Sequence, residues 1–126
     1  MPVIRDADKK DLYEVAQALA TLSERARTGK LQSDDIQGGV FTVSSLGGIG
    51  GKFFTPIINA PEVAILGVSR SAWQPVYREL EFVPRLILPL SLSYDHRVID
   101  GANAVRFTTR LGAILADPGQ LVEAIP

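Results

Sequence analysis

The chain contains no cysteine, which excludes disulfides and thiolate metal sites. It has one histidine in 126 residues, and one imidazole without thiolates cannot close a zinc site. Neither sign of charge is in excess. The 13 basic and 14 acidic residues leave a net charge of -1, so there is no broad field to hold nucleic acid or anionic lipid. No apolar run approaches the ~20 residues that cross a bilayer as a helix. The opening Met1-Pro-Val-Ile-Arg-Asp-Ala-Asp8 lacks a basic segment followed by an apolar one, so no signal peptide is expected there. Repeats, linkers and low-complexity segments are missing too.

What is present is apolar for its size: 46% hydrophobic and 21% charged residues, with a mean hydropathy of +0.15. Such a length makes one small domain or part of a larger one. A chain this short buries only about two-thirds of its unfolded surface. The apolar remainder is expected to meet a partner.

Pro2-Val-Ile-Arg5 is a strand candidate that would need a neighbour upstream. The clearest helix runs from Asp11 to Thr28, with Leu12, Val15, Ala16, Leu19, Leu22 and Ala26 in one stripe. Asp11 caps it with Glu14 as capping-box partner, and Gly29 ends it beyond Arg25 and Arg27. A single turn is expected at Ser33–Ile36, then a break at Gly38-Gly39. Val40–Ser45 alternates and is rich in β-branched residues, so it predicts a strand. A glycine-rich loop, Leu46–Gly51, follows. Glu62–Ser69 predicts a second strand, residues 73–79 connecting structure, and residues 81–94 one long strand with Pro84 and Pro89 at edges or bulges. Ala102–Ala116 predicts a helix with Val105, Phe107, Leu111, Ile114 and Leu115 inward. Asp117-Pro118 breaks it, and Leu121–Ile125 makes a terminal turn. The order β-α-β-β-β-α implies a mixed sheet with helices packed on it, an α/β or layered α+β fold.

The glycine-rich loop does not read as a phosphate site. Position 46 is Leu where a P-loop needs Gly, and Phe53 stands where Ser or Thr should follow Lys52. The window from Gly48 ends at Phe53, so the dinucleotide fingerprint fails as well. Trp73, Tyr77 and Phe82 read as core or interface, since no basic patch accompanies them.

The residue that carries chemistry is His96. It stands where the apolar run Leu86–Tyr94 delivers it to a turn, flanked by Asp95, Arg97 and Asp100, which can tune or orient it. Imidazoles ordinarily titrate near about 6.5, suited to taking a proton from a thiol of pKa about 8.5. Asp100 precedes a helix and is a candidate N-cap, so it orients and is not assigned as an acid or base. Ser44 and Ser45 end a strand before the glycines, and on the residues alone they read as turn hydroxyls.

The segment Asp95-His-Arg-Val-Ile-Asp-Gly101 resembles the active-site signature of the dihydrolipoyl acyltransferases, the core enzymes of the 2-oxo acid dehydrogenase complexes. A looser His-x-x-x-Asp-Gly occurs in chloramphenicol acetyltransferases. The likeness extends over Pro2–Lys10, Phe54–Gly67 and Pro89–Ala102. Ser44-Ser-Leu-Gly47 and Ala60-Pro-Glu-Val63 resemble the pyruvate-complex members, implying an acetyl preference. The branched-chain and 2-oxoglutarate complexes are the alternatives.

The resemblance implies a chloramphenicol acetyltransferase-like fold, of which residues 1–126 would be the C-terminal half of the catalytic domain, without lipoyl or subunit-binding domains. It implies catalytic His96, Asp100 and Ser44, with Ser45 the fallback oxyanion donor. It further implies coenzyme A as substrate, a lipoyl-lysine arm carried on another domain, and no metal. Trimers would build a larger core, with decarboxylase and dihydrolipoyl dehydrogenase as partners and neither nucleic acid nor membrane. The setting would be the bacterial cytoplasm, or the mitochondrial matrix in a eukaryote. Two other readings are an inactive fragment serving as a scaffold piece of the core, and a free-standing coenzyme A acyltransferase.

Overall fold

In the computed structural model, which describes residues 1–117, 119 and 120, the chain divides into two units: residues 40–105, and residues 1–39 together with the segment from Arg106. The first unit is built on a three-stranded sheet. β1 (Thr42–Ser45) runs parallel to β2 (Ala64–Val68), and β5 (Leu90–Tyr94) lies antiparallel on the other side of β2. This is the mixed sheet the sequence predicts. β2 reads Ala-Ile-Leu-Gly-Val, a continuous apolar run, because a central strand is covered on both faces. Its residues Ala64, Ile65 and Leu66 are 7%, 3% and 8% exposed, and Ala104 is buried as well.

The register sorts the sheet into two faces, because side chains alternate along each strand. Thr42, Ser44, Ile65, Gly67, Ser91 and Ser93 share one face; Val43, Leu66, Leu92, Ala64 and Tyr94 share the other. Gly67 is required on the first face. A methyl group there would lie 2.8 Å from the Phe54 ring and 3.2 Å from Pro56, closer than van der Waals contact allows. The hydroxyl of Thr42, itself buried, donates to a Glu62 carboxylate oxygen at 2.6 Å.

The same unit contains an antiparallel hairpin, β3 (Ala72–Arg78) with β4 (Glu81–Ile87). This corrects two expectations: residues 73–79 form a strand, not a connection, and the long strand 81–94 is two strands belonging to different sheets. The split falls at Leu88-Pro89, where Pro89 is buried and its carbonyl accepts from Ser69 N–H at 3.1 Å. The hairpin turn is Glu79-Leu80, both with positive φ (49° and 69°). That is the backbone of a two-residue primed turn, for which Asn-Gly is the usual signal. Glu-Leu gives no such signal, so the sequence pattern conceals the hairpin.

Pro75 lies opposite Pro84. Counting from the turn, that pair is a non-hydrogen-bonded one, whose N–H positions face outward. Proline therefore costs no ladder bond here and removes a donor from each open edge.

In the second unit, α1 (Leu12–Arg27) follows its sequence signals closely. The Asp11 carboxylate accepts from Glu14 N–H at 2.8 Å, and the Glu14 carboxylate accepts from Asp11 N–H at 3.0 Å, completing the capping box. At the other end Gly29 adopts φ 67°, Lys30 N–H donates to the Arg25 carbonyl (2.8 Å) and Gly29 N–H to the Ala26 carbonyl (3.3 Å). This is a Schellman closure, and the positive φ accounts for the glycine.

The apolar stripe of α1 is a different matter. No α1 residue is buried, and Leu12 and Leu19 are 69% and 58% exposed. Residues 2–5 form no strand either. Val3 N–H donates to the Asp35 carbonyl at 2.8 Å, and the Arg5 guanidinium holds the carbonyls of Asp34 and Gln37, so this segment is tied to the short 3-10 turn Ser33–Asp35 instead of to a sheet. The element order is thus α-β-β-β-β-β-α, not the expected β-α-β-β-β-α.

α2 (Gly101–Ala116) is shared by the two units and ends where expected. Its buried residue is Ala104; of the five side chains expected inward, Val105, Phe107 and Leu115 are exposed and Leu111 and Ile114 half-buried. The stripe is real, and nothing among the described residues covers it fully. Pro118 and the turn expected at Leu121–Ile125 lie outside the described residues.

Candidate active site

The turn Asp95–Asp100 joins β5 to α2 and is closed by its own backbone. The Asp95 carbonyl accepts from Val98 N–H (3.0 Å) and Ile99 N–H (2.9 Å), while Asp95 N–H donates to the Val63 carbonyl at 2.8 Å and so extends the β2–β5 ladder by one residue. A strand anchored in the buried centre of the sheet thus ends in a tight, fixed turn. His96 sits on it, exposed.

The charged neighbours of His96 are engaged with other groups. Asp95 is gripped by Arg97, whose backbone N–H and Nε each donate to Oδ1 at 2.9 Å and whose guanidinium also donates to Oδ2 at 2.6 Å. These hydrogen bonds, from the side chain first and the backbone second, hold the Asp95 carboxyl at about 2, and the same pairing raises Arg97. Asp100 accepts from Asn103 N–H at 2.7 Å and from the Asn103 side-chain amide at 3.1 Å, while its carbonyl accepts from Ala104 N–H at 3.1 Å. It is the N-cap of α2, held by a side chain that sequence reasoning missed. Asn103 stands three residues beyond the cap, and that interval was the available signal.

Ser44 is half-buried in β1, and Ser45 is exposed on the opposite face. Neither meets His96 within the chain. Ser44 is level with Gly67 and Ser91, whereas His96 lies beyond Tyr94 at the far end of β5. At about 3.3 Å per residue and about 4.8 Å per strand, Ser44 and His96 are on the order of 20 Å apart. They also serve opposite faces, because Ser44 shares its face with Ser91 while the His96 ring lies against Tyr94, which belongs to the other. One chain therefore holds the two groups apart: an imidazole on a turn, and a hydroxyl at the end of a strand.

The 2-oxoacid dehydrogenases acyltransferase (catalytic domain) family model matches residues 1–123. The chain belongs to this acyltransferase family. The chain is 61% identical over 117 residues to the dihydrolipoyllysine-residue acetyltransferase component of the pyruvate dehydrogenase complex from Cupriavidus necator, covering 93% of this chain and 21% of that protein. In three dimensions it superposes on Azotobacter vinelandii dihydrolipoamide acetyltransferase with a TM-score of 0.91 and 62% identity, over 95% of this chain and 50% of the other. That relative was investigated for the role of a serine, a histidine and an asparagine in its catalytic mechanism. A second solved relative, the cubic core of a pyruvate dehydrogenase multienzyme complex, gives a TM-score of 0.91 at 61% identity, with 95% of this chain and 50% of that one covered. The chain thus spans about a fifth of the curated relative's length and half of each solved chain. Its mixed α/β fold is that of the catalytic core structures.

Proposed function

We propose that the parent of this chain transfers an acetyl group between a dihydrolipoyl arm and coenzyme A in a pyruvate dehydrogenase complex. Residues 1–126 would contribute the C-terminal half of its catalytic domain, and the lipoyl and subunit-binding domains would lie elsewhere in the parent. The observation that carries this reading is the turn Asp95–Asp100, which holds one exposed imidazole at the end of the half-buried strand β5. High identity to named acetyltransferases over nearly the whole chain supports the choice of acyl group. The intervals between the serine, histidine and asparagine studied in the Azotobacter relative are those separating Ser44 from His96 and His96 from Asp100. That favours Ser44 over Ser45.

In the proposed reaction the His96 imidazole takes the proton of the attacking thiol. The thiolate adds to the acetyl thioester carbonyl, and the resulting oxyanion accepts a hydrogen bond from the Ser44 hydroxyl. Collapse re-forms the carbonyl and expels the other sulfur, which recovers the proton from the imidazolium. No acyl-enzyme forms. Asp100 transfers no proton; it fixes the start of α2 and so the far end of the turn.

Because Ser44 and His96 are far apart on one chain, the working site pairs His96 of one copy with Ser44 of another. Self-assembly into trimers and a larger core supplies that second copy, and the cubic core of the solved relative supports it. The decarboxylase and dihydrolipoyl dehydrogenase are the remaining expected partners.

The test is acetyl transfer from acetyl-coenzyme A to dihydrolipoamide by the intact parent protein and its His96→Ala variant. Removal of the general base lowers kcat by roughly 10²–10⁴-fold while the exposed position leaves folding unchanged. Retained activity in that variant overturns the reading. An intact parent that assembles but transfers nothing favours the scaffold role instead.

A further inference from the structure

The His96 imidazole makes no hydrogen bond or ion pair among the described residues. Its ring contact is with Tyr94, the last residue of β5 and two positions earlier in the chain, at a centroid distance of 5.6 Å and an interplanar angle of 37°. Tyr94 is itself well anchored. It pairs with Ala64, 7% exposed, and the next residue still belongs to the ladder through the Asp95 N–H bond to Val63. At the other end of the ring, the Tyr94 hydroxyl lies beside the first residue of α2: a methyl group on Gly101 would be 3.7 Å from it. The phenol therefore spans the base of the turn, from the last residue of β5 to the first of α2.

We propose that Tyr94 is the positioning residue of His96, its ring forming the wall that selects the imidazole's orientation. This rests on reading His96 as the general base. A histidine on a turn has two free side-chain torsions, and here the backbone closes the turn without restricting either. A flat aromatic surface on one side removes the rotamers that would swing the imidazole back over the strand. Asp95 and Asp100, the obvious orienting groups, are held by Arg97 and Asn103 and leave the task to the ring. The hydroxyl abuts Gly101 without a hydrogen bond among the described residues and serves only to seat the ring.

The test compares the assembled parent protein with its Tyr94→Phe and Tyr94→Leu variants, using histidine labelled with ¹³C at Cε1. The His96 signal is assigned by its loss in His96→Gln. Leucine keeps bulk against Ala64, so the fold survives. The Phe variant is expected to keep the ring-current-shifted signal and wild-type kcat. The Leu variant is expected to move the signal toward that of free histidine and to lower kcat ~10-fold, with KM for coenzyme A unchanged, as loss of catalytic alignment alone would do. The proposal is overturned if the Leu variant keeps both signal and kcat. It is overturned as well if Phe is as damaging as Leu, which would give the role to the hydroxyl, or if KM rises with the fall in kcat, which would mean general damage. Full activity in His96→Gln would instead remove the general-base reading, while the signal comparison would still decide whether Tyr94 sets the ring.

Discussion

The three-stranded sheet and the β3–β4 hairpin lie in the same unit and have similar amounts of strand, yet they treat apolar side chains in opposite ways. In the sheet the central strand is buried on both faces, and Ser44 and His96 hang from its neighbours. In the hairpin Trp73, Pro75, Tyr77, Phe82, Pro84 and Leu86 share one face, and Trp73, Tyr77, Phe82 and Leu86 are 71%, 58%, 73% and 56% exposed. The sheet is where the chain satisfies itself and builds a rigid mount. The hairpin is where it leaves apolar surface open, with proline on both edges to forbid strand addition. The difference teaches that the strands leading to His96 and Ser44 and the open apolar face are kept on separate elements.

Substitutions can break that contrast. Leu66→Ala in the central strand is expected to cost about 2–5 kcal/mol, as deletion of a buried leucine does, whereas Phe82→Ala should stay within about 0.5 kcal/mol because its ring is exposed. Thermal unfolding checks both. Equal losses would show that the hairpin face is as fully covered in the parent as the sheet.

Next in size is the hydroxyl at the end of β1. Ser44→Ala should lower kcat roughly 10²-fold or more as an oxyanion donor is lost, and Ser45→Ala, on the other face, should leave it near wild type. Reversed results in steady-state kinetics would move the donor to Ser45. A smaller effect is expected at the cap. Asp100→Asn keeps an acceptor for Asn103 N–H and should retain most activity, while Asp100→Ala should cost about 1 kcal/mol in unfolding free energy.

The smallest effect concerns acid. Arg97 holds Asp95 at about 2, below its usual 3.8. A carboxylate depressed in the folded state contributes stability above its ordinary value and loses it as pH falls through the folded one. Arg97→Ala should therefore lower stability at neutral pH, with the deficit shrinking between about pH 4 and 2 as the profile there flattens. A deficit of the same size at neutral pH and at about pH 2 would contradict the pairing.

Much of this was legible in the residues. The α1 boundaries followed from Asp11, Glu14 and Gly29 because caps are local chemistry. β2 followed from its apolar run, and His96 from its place after another. The hairpin was hidden because Glu79-Leu80 is not a turn signal, so residues 73–79 read as a connection and residues 81–94 as one strand. Which face of α1 or α2 is covered was not legible, because periodicity gives a stripe but not its partner. The separation of Ser44 from His96 depends on the strand order β1-β2-β5, a long-range fact that no local pattern encodes. Tyr94 could have been found from its place two residues before His96, where the apolar run ends. Its role needed the end of the ladder to be placed.

The central claim is that His96 and Ser44 meet only between copies. The most direct measurement co-assembles two inactive parents, His96→Ala and Ser44→Ala, purified together through different tags. In a random mixed assembly, a site drawing one residue from each of two copies is intact about a quarter of the time, since half of the copies carry each wild-type residue. The account predicts acetyl transfer restored to about that fraction of wild type. Co-assembled but inactive protein would contradict it and place both residues in one chain's site.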